Sequence, residues 1–187
     1  MHGTSRVVPA IVLLGFLAMA ATVTHAAVFM KLGDIEGESS STDNAHKEWI
    51  VIESLSTSMN VSPTHTSTGA GASRRRGDAI VEEISLTKFV DKASPKLAEA
   101  VCKGTVIPKV EIYVTASYTD EGREPYYMYE LTNVMVTSYS VNAGGSGDQP
   151  VEDFKLNFGE IKVSYDQEGL KHKGGNVETT WKVEEGE

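Results

Sequence analysis

His46, His65 and His172, together with the closely spaced carboxylates Asp34, Glu36 and Glu38, are the groups from which a metal site would have to be built. The histidines fall in separate polar stretches and have neither the i, i+4 spacing of a helical zinc pair nor a partner Cys pattern, so they read as solvated side chains. The three alternating carboxylates lack the following ligands of a twelve-residue calcium loop and read as a charged rim. No metal or cofactor is expected. A hydrolase would need a Gly-x-Ser-x-Gly elbow on a strand-to-helix turn, and none occurs. Gly144-Gly145-Ser146-Gly147 lacks the lysine of a phosphate loop and precedes a strand, so it reads as a connector. Arg76-Gly77-Asp78 spells an adhesion tripeptide that is too short to carry weight. The chain is therefore not expected to be an enzyme.

The elements around these residues begin with a leader. Arg6 followed by the uncharged run Val7 to Ala21, with Thr24-His25-Ala26 after it, has the charged and apolar regions and the small-residue ending of a secretory signal. Residues 1–26 are expected to be removed between Ala26 and Ala27. The run is shorter than the roughly 20 residues that span a bilayer, so no stable membrane insertion is expected after leader removal. Cleavage takes away Arg6 alone and moves the net charge from -9 to -10. That balance disfavours nucleic acid and anionic membranes as partners. Residues 27–187 suit one domain. Cys102 is the only cysteine, so packing and subunit contacts must replace disulfides. Its place at a predicted helix end reads as small and buried.

Period-two alternation dominates what remains. Val28 to Leu32, Trp49 to Leu55, Ala79 to Val90, Lys109 to Ala116, Tyr126 to Tyr139, Val151 to Tyr165 and Val177 to Val183 read as about seven strands. In Ala79 to Val90 the apolar face carries Ile80, Ile84, Leu86 and Val90, with Glu82 an inward exception. The phase of Val151 to Tyr165 slips at Gly159-Glu160, which predicts a β-bulge. Thr57 to Asp78 is rich in Ser, Thr, Gly and Ala, ends near Arg74-Arg75-Arg76, and reads as a long flexible loop. One helix interrupts the strands. Ser94 is placed to cap the first free amides, Pro95 suits the first helical turn, and Gly104 offers a left-handed stop. The segment Pro95 to Cys102 is too short to be stable alone and must dock on a sheet through Leu97, Val101 and Cys102. Together these patterns predict a mostly β protein: a small β-barrel of antiparallel strands, closed or nearly so, with one short flanking α-helix.

The order of these pieces resembles the Hcp (haemolysin-coregulated protein) family of type VI secretion systems. The residues that carry the resemblance are Ile35-Glu36-Gly37-Glu38-Ser39, Ile84-Ser85-Leu86-Thr87-Lys88 followed by Asp91-Lys92-Ala93-Ser94-Pro95-Lys96-Leu97, then Tyr129 to Val134 and Val151 to Phe158. The resemblance spans nearly all of residues 27–187. It implies a homo-hexameric ring that stacks into a hollow tube, carries or chaperones effector proteins in its lumen, and meets the sheath and spike proteins of the apparatus. The extended loop 57–78 would reach the neighbouring ring, with Arg74, Arg75 and Arg76 as stacking residues against an acidic surface. A cleavable leader departs from that pattern, because such subunits leave through the apparatus itself. The chain is thus expected to be secreted, or periplasmic, or cytoplasmic before secretion if the leader is a misplaced start. The alternative is an exported binding module of the same fold, acting as a monomer or single ring.

Overall fold

Alternating side chains place one face of each strand on a common core, and the ladder that results is antiparallel throughout. The computed structural model describes residues 26–40, 46–61, 64–65, 74–75, 79–117, 123–145, 147–166 and 175–183. Its elements are β1 (Ala27–Leu32), β2 (Ile50–Ile52), β3 (Ser54–Ser56), β4 (Met59–Val61), β5 (Thr64–His65), β6 (Arg74–Arg75), β7 (Ala79–Val81), β8 (Ile84–Phe89), α1 (Ser94–Lys103), β9 (Val106–Ser117), β10 (Arg123–Asn142), β11 (Val151–Asn157), β12 (Glu160–Asp166) and β13 (Asn176–Lys182).

The main sheet runs in the order β2-β1-β9-β10-β11-β8-β3, with β12 branching from β10 and β13 beyond it. No ladder joins its two ends. They are nonetheless successive halves of one segment: β2 pairs with β1, β3 pairs with β8, and at the corner between them the Glu53 amide donates to the Thr87 carbonyl at 2.9 Å. The sheet is therefore not closed, and its two ends only approach each other, at a seam between β2 and β8 that leaves an open barrel. Its interior holds Met30, Leu32, Ile50, Ile84, Leu86, Ile112, Leu131, Phe154, Leu156 and Ile161, all buried. Each contributes about 1.5–3 kcal/mol through apolar burial.

The mostly β fold with one helix is as the alternation predicts, but several boundaries differ. The expected strand Ala79 to Val90 is two strands broken at Glu82-Glu83; Ile80 and Glu82 are exposed rather than inward. Thr57 to Asp78, expected as a loop, contains strands: β4 pairs with β7 as a short arm outside the main sheet, and β5 pairs with β6. Serine and threonine suit a solvated ribbon as well as a loop, which is why composition missed it.

At Gly159 the structure has no bulge. Thr132 faces Glu160 and Met135 faces Asn157, three steps in each strand, so no residue is inserted in either. Bulge-type register shifts occur instead on β10, between Val136 and Ser138 against β11 and between Pro125 and Tyr127 against β9.

The helix is α1, with Pro95 in its first turn. Ser94 does not cap the helical amides. Its Oγ accepts from the Asp91 amide at 3.0 Å, while Asp91 Oδ1 accepts from the Ala93 amide at 2.9 Å, so the turn before the helix is knotted by side chains of its own residues. Gly104 adopts φ 60° and ψ 40°, and the Thr105 and Gly104 amides return to the Ala100 and Val101 carbonyls. Those two bonds complete a left-handed helix stop that a side chain would strain. Leu97 and Ala100 pack inward, and the helix lies against β10. Cys102, expected buried, is exposed, because it lies off the narrow stripe that Leu97 and Ala100 define.

Candidate assembly surfaces

The densest polar constellation lies where β8, α1, β10 and β11 meet. Lys88 continues the inward phase of Ile84 and Leu86, and Glu152 that of Phe154 and Leu156, so two charges point into the core. Both side chains are fully buried and lie 2.7 Å apart, from Lys88 Nζ to Glu152 Oε1. Lys88 Nζ also reaches Asp91 Oδ1 at 2.5 Å and donates to the Phe89 carbonyl at 2.9 Å. The Tyr139 hydroxyl donates to Glu152 Oε2 at 2.8 Å. Burial first, and then that hydrogen bond, push the Tyr139 hydroxyl from 10.0 up to about 12. With its ion pair fully buried and Asp91 and Tyr139 partly so, the cluster ties the turn into α1 to β11.

A second cluster surrounds His46. The ring is buried, stacked on Phe29 at 4.8 Å between centroids, with Trp49 and Tyr113 edge-on at 5.0 and 5.8 Å. The expectation of a solvated His46 is therefore corrected; its polar neighbours in sequence hid an aromatic box formed across β1 and β9. The side chain of His65 and all of His172 lie outside the described residues. Among the described residues no group of three His, Cys, Asp or Glu side chains is placed to hold a metal. The acidic turn is a rim: Glu36 accepts from Lys92 Nζ at 3.0 Å and Glu38 from the Lys92 amide at 3.0 Å. The Glu36 hydrogen bond is the chief reason the Lys92 ammonium titrates above its ordinary value.

The outer face of β9, β10, β12 and β13 carries a row of opposite charges. Lys109 meets Glu111 and Glu130 at 3.0 Å each, and Lys162 meets Glu178 at 2.8 Å. These contacts are solvated and of small individual worth.

Exposed apolar side chains occur on the arm, at the seam and also at Val106, Met135, Val141 and Val177. On the arm Met59, Val61 and Ile80 are each 51% exposed. Arg74 and Arg75 form β6, which pairs with β5; their side chains and all of Arg76 lie outside the described residues. At the seam, Val51 and Phe89, 38% and 40% exposed, line a cavity of about 170 Å³ together with Glu38, Glu53, Val90, Asp91 and Gln149. Ala26 is exposed and Ala27 opens β1, its carbonyl accepting from Thr115 Oγ1 at 3.1 Å. Residues 1–25 lie outside the described residues.

A seamed antiparallel barrel with one docked helix and a projecting arm defines a class by its architecture, and comparison supplies the family. Residues 29–165 match the family described as "Type VI secretion system effector, Hcp", and the chain belongs to the Hcp family. It is 32% identical over 159 residues to the protein named hcp1 of Pseudomonas aeruginosa, covering 83% of this chain and 94% of that one. A solved structure described as a type six secretion system protein superposes with a TM-score of 0.74 at 28% identity, covering 87% of this chain and 99% of its own. Hcp1 from Salmonella typhimurium shares the fold, with a TM-score of 0.65 at 21% identity over 86% of this chain and 96% of that one. The family is a structural one within the secretion system. Among the described residues no helix is long and apolar enough to cross a membrane.

Proposed function

We propose that this chain is an inner-tube subunit of a type VI secretion system: six copies close into a ring, rings stack into a hollow tube, and the tube carries effector proteins under the push of its sheath, behind its spike. The work done is assembly, without bond chemistry. The observation that carries the reading is the arm, a ribbon that leaves the barrel and holds Met59, Val61 and Ile80 half exposed, beside a core that is already filled. Apolar area presented this way favours burial against another subunit. A ring needs a heterologous contact whose rotation closes, and a stack needs a second one that repeats. Arg74, Arg75 and Arg76 serve the second contact against an acidic neighbour. The leader ending at Ala26 supports export of residues 27–187, and an exported binding module with the same fold is the competing reading.

Residues 27–187, produced without the leader, test this by native mass and negative-stain microscopy. A six-subunit ring with an open centre is expected. A monomer under the same conditions would overturn the tube reading in favour of the exported module.

A further inference from the structure

Lys88 and Glu152 are direct partners in the ladder that joins β8 to β11, and both side chains are fully buried. An amine and a carboxyl group held side by side in a dry interior are the two halves of an amide. Their condensation would remove two charges from a place where both have lost their hydration.

The contacts around the pair favour that step. Lys88 Nζ has three protons to donate, and three acceptors take them: the Phe89 carbonyl at 2.9 Å, Asp91 Oδ1 at 2.5 Å and Ser94 Oγ at 3.4 Å. Glu152 Oε1 lies 2.7 Å from the same nitrogen, yet it accepts no hydrogen bond from any described residue. A buried oxygen in that state is costly and calls for an explanation. The carboxyl carbon, one bond further on, is within about 4 Å of the amine, close to the roughly 3–3.5 Å of a near-attack arrangement.

We infer that Lys88 and Glu152 condense after folding into an intramolecular isopeptide bond, from Lys88 Nζ to Glu152 Cδ, with loss of one water. The Nζ–Cδ bond forms and the Cδ–Oε1 bond breaks. Of the three ammonium protons, one stays on the amide nitrogen and two leave with Oε1 as water. Asp91 Oδ1 holds the first of those two while the nitrogen lone pair attacks, then returns it to the departing oxygen. The Tyr139 hydroxyl donates to Glu152 Oε2 at 2.8 Å, so the charge that builds on Oε2 during attack meets a fixed donor, and Oε2 keeps that bond as the amide oxygen. The orphaned oxygen is the one that leaves, and its way out is the seam cavity, which Asp91 also lines. The product ties β8 to β11 covalently and closes residues 88 to 152 into a loop, restricting the unfolded chain as a disulfide would in a protein whose only cysteine is Cys102.

The mass of the full chain under denaturing conditions tests this. Protein that has been kept folded should be one water lighter than its sequence, counted from the N-terminus that sequencing finds. Trypsin should leave the Lys88–Phe89 bond uncut and release a branched peptide in which fragmentation places Glu152 on Lys88. Chain isolated unfolded and then refolded should begin at the sequence mass and lose the water with time, and Tyr139→Phe should slow that loss at least tenfold. Lys88→Arg, which keeps the cation, should stay at its full mass. An unaltered mass in long-folded wild-type protein would overturn the proposal. So would a lost water without the branched peptide, the signature of an aspartyl succinimide, or a water lost equally from Lys88→Arg. Equal rates for Tyr139→Phe and wild type would overturn the part given to the hydroxyl.

Discussion

Asn133 on β10 and Gly159, at the break between β11 and β12, stand opposite each other in an unbroken register, and both strands change face there together. Asn133 has φ 54°, in the left-handed region, and the Gly159 amide donates to the Thr132 carbonyl at 3.0 Å. On β10 the buried residues run Tyr129, Leu131, then Val134, Val136; across from them they run Ile161, then Phe158, Leu156, Phe154. The same register aligns Pro108 of β9 with Asn133, and β9 buries Ile107, then Val110 and Ile112. Proline needs no ladder donor, asparagine tolerates a left-handed backbone and glycine tolerates a break, so three residue types permit one fault line across three strands.

Asn133→Val should therefore destabilise the fold by about 1–3 kcal/mol, since a β-branched residue resists positive φ. Asn133→Gly should be close to neutral. Urea unfolding followed by tryptophan fluorescence distinguishes the pair; equal stability of both variants would remove the backbone argument.

Lys88→Met should cost about 3–5 kcal/mol, because it leaves the fully buried Glu152 carboxylate without its cation. Adding Glu152→Gln to Lys88→Met should recover part of the loss. Denaturant midpoints of the two single variants and the double variant give the coupling, and simple additivity would mean that the ion pair does not act as a unit.

The alternation that exposes most of this fold to reading also carried the sign of this pair. Lys88 is in phase with Ile84 and Leu86, and Glu152 with Phe154 and Leu156, yet each looks like a lapse in its own strand. Only the pairing of β8 with β11, which sets Lys88 beside Glu152, shows that each accounts for the other. The helix, by contrast, was legible because Ser94-Pro95 and Gly104 act locally. Its cap was not, since the Asp91 and Ser94 side chains serve the preceding turn. His46 was hidden because two walls of its aromatic box, Phe29 of β1 and Tyr113 of β9, are distant in sequence, and Trp49 alone is near.

Stability should fall as pH rises from about 10 to about 12. The Tyr139 hydroxyl, raised to about 12 by burial and by its bond to Glu152, favours the neutral form in the folded state. Its contribution is complete below the unfolded value near 10 and disappears as pH passes the folded one. Tyr129, also raised to about 12, by burial first and then by neighbouring Tyr127, acts in the same direction. Tyr139→Phe should flatten the alkaline limb of the stability profile. An unchanged slope would assign the effect to other groups.

Gly37 should not accept alanine. A Cβ there would stand 2.4 Å from the Trp49 carbonyl oxygen and 2.5 Å from Ile50 Cα, both rigid backbone. The Gly37 amide donates to the Glu48 carbonyl at 2.7 Å, which fixes this approach. Gly37→Ala is expected to lose about 1–3 kcal/mol. Gly145→Ala, with open space around it, should lose almost nothing. Thermal melts of the two variants check the contrast; similar melting temperatures would show that the turn moves aside.

β10 is twenty residues long and is the shared ladder of β9, β11 and β12, with α1 packed on it. Among the described residues, the strands that pair directly with this spine are tied to one another through it, whereas the β4–β7 ribbon and the edge strand β13 are not. The amide protons along Tyr127 to Val141 should exchange only through complete unfolding, so this part of the subunit would yield to a pulling force all at once or not at all.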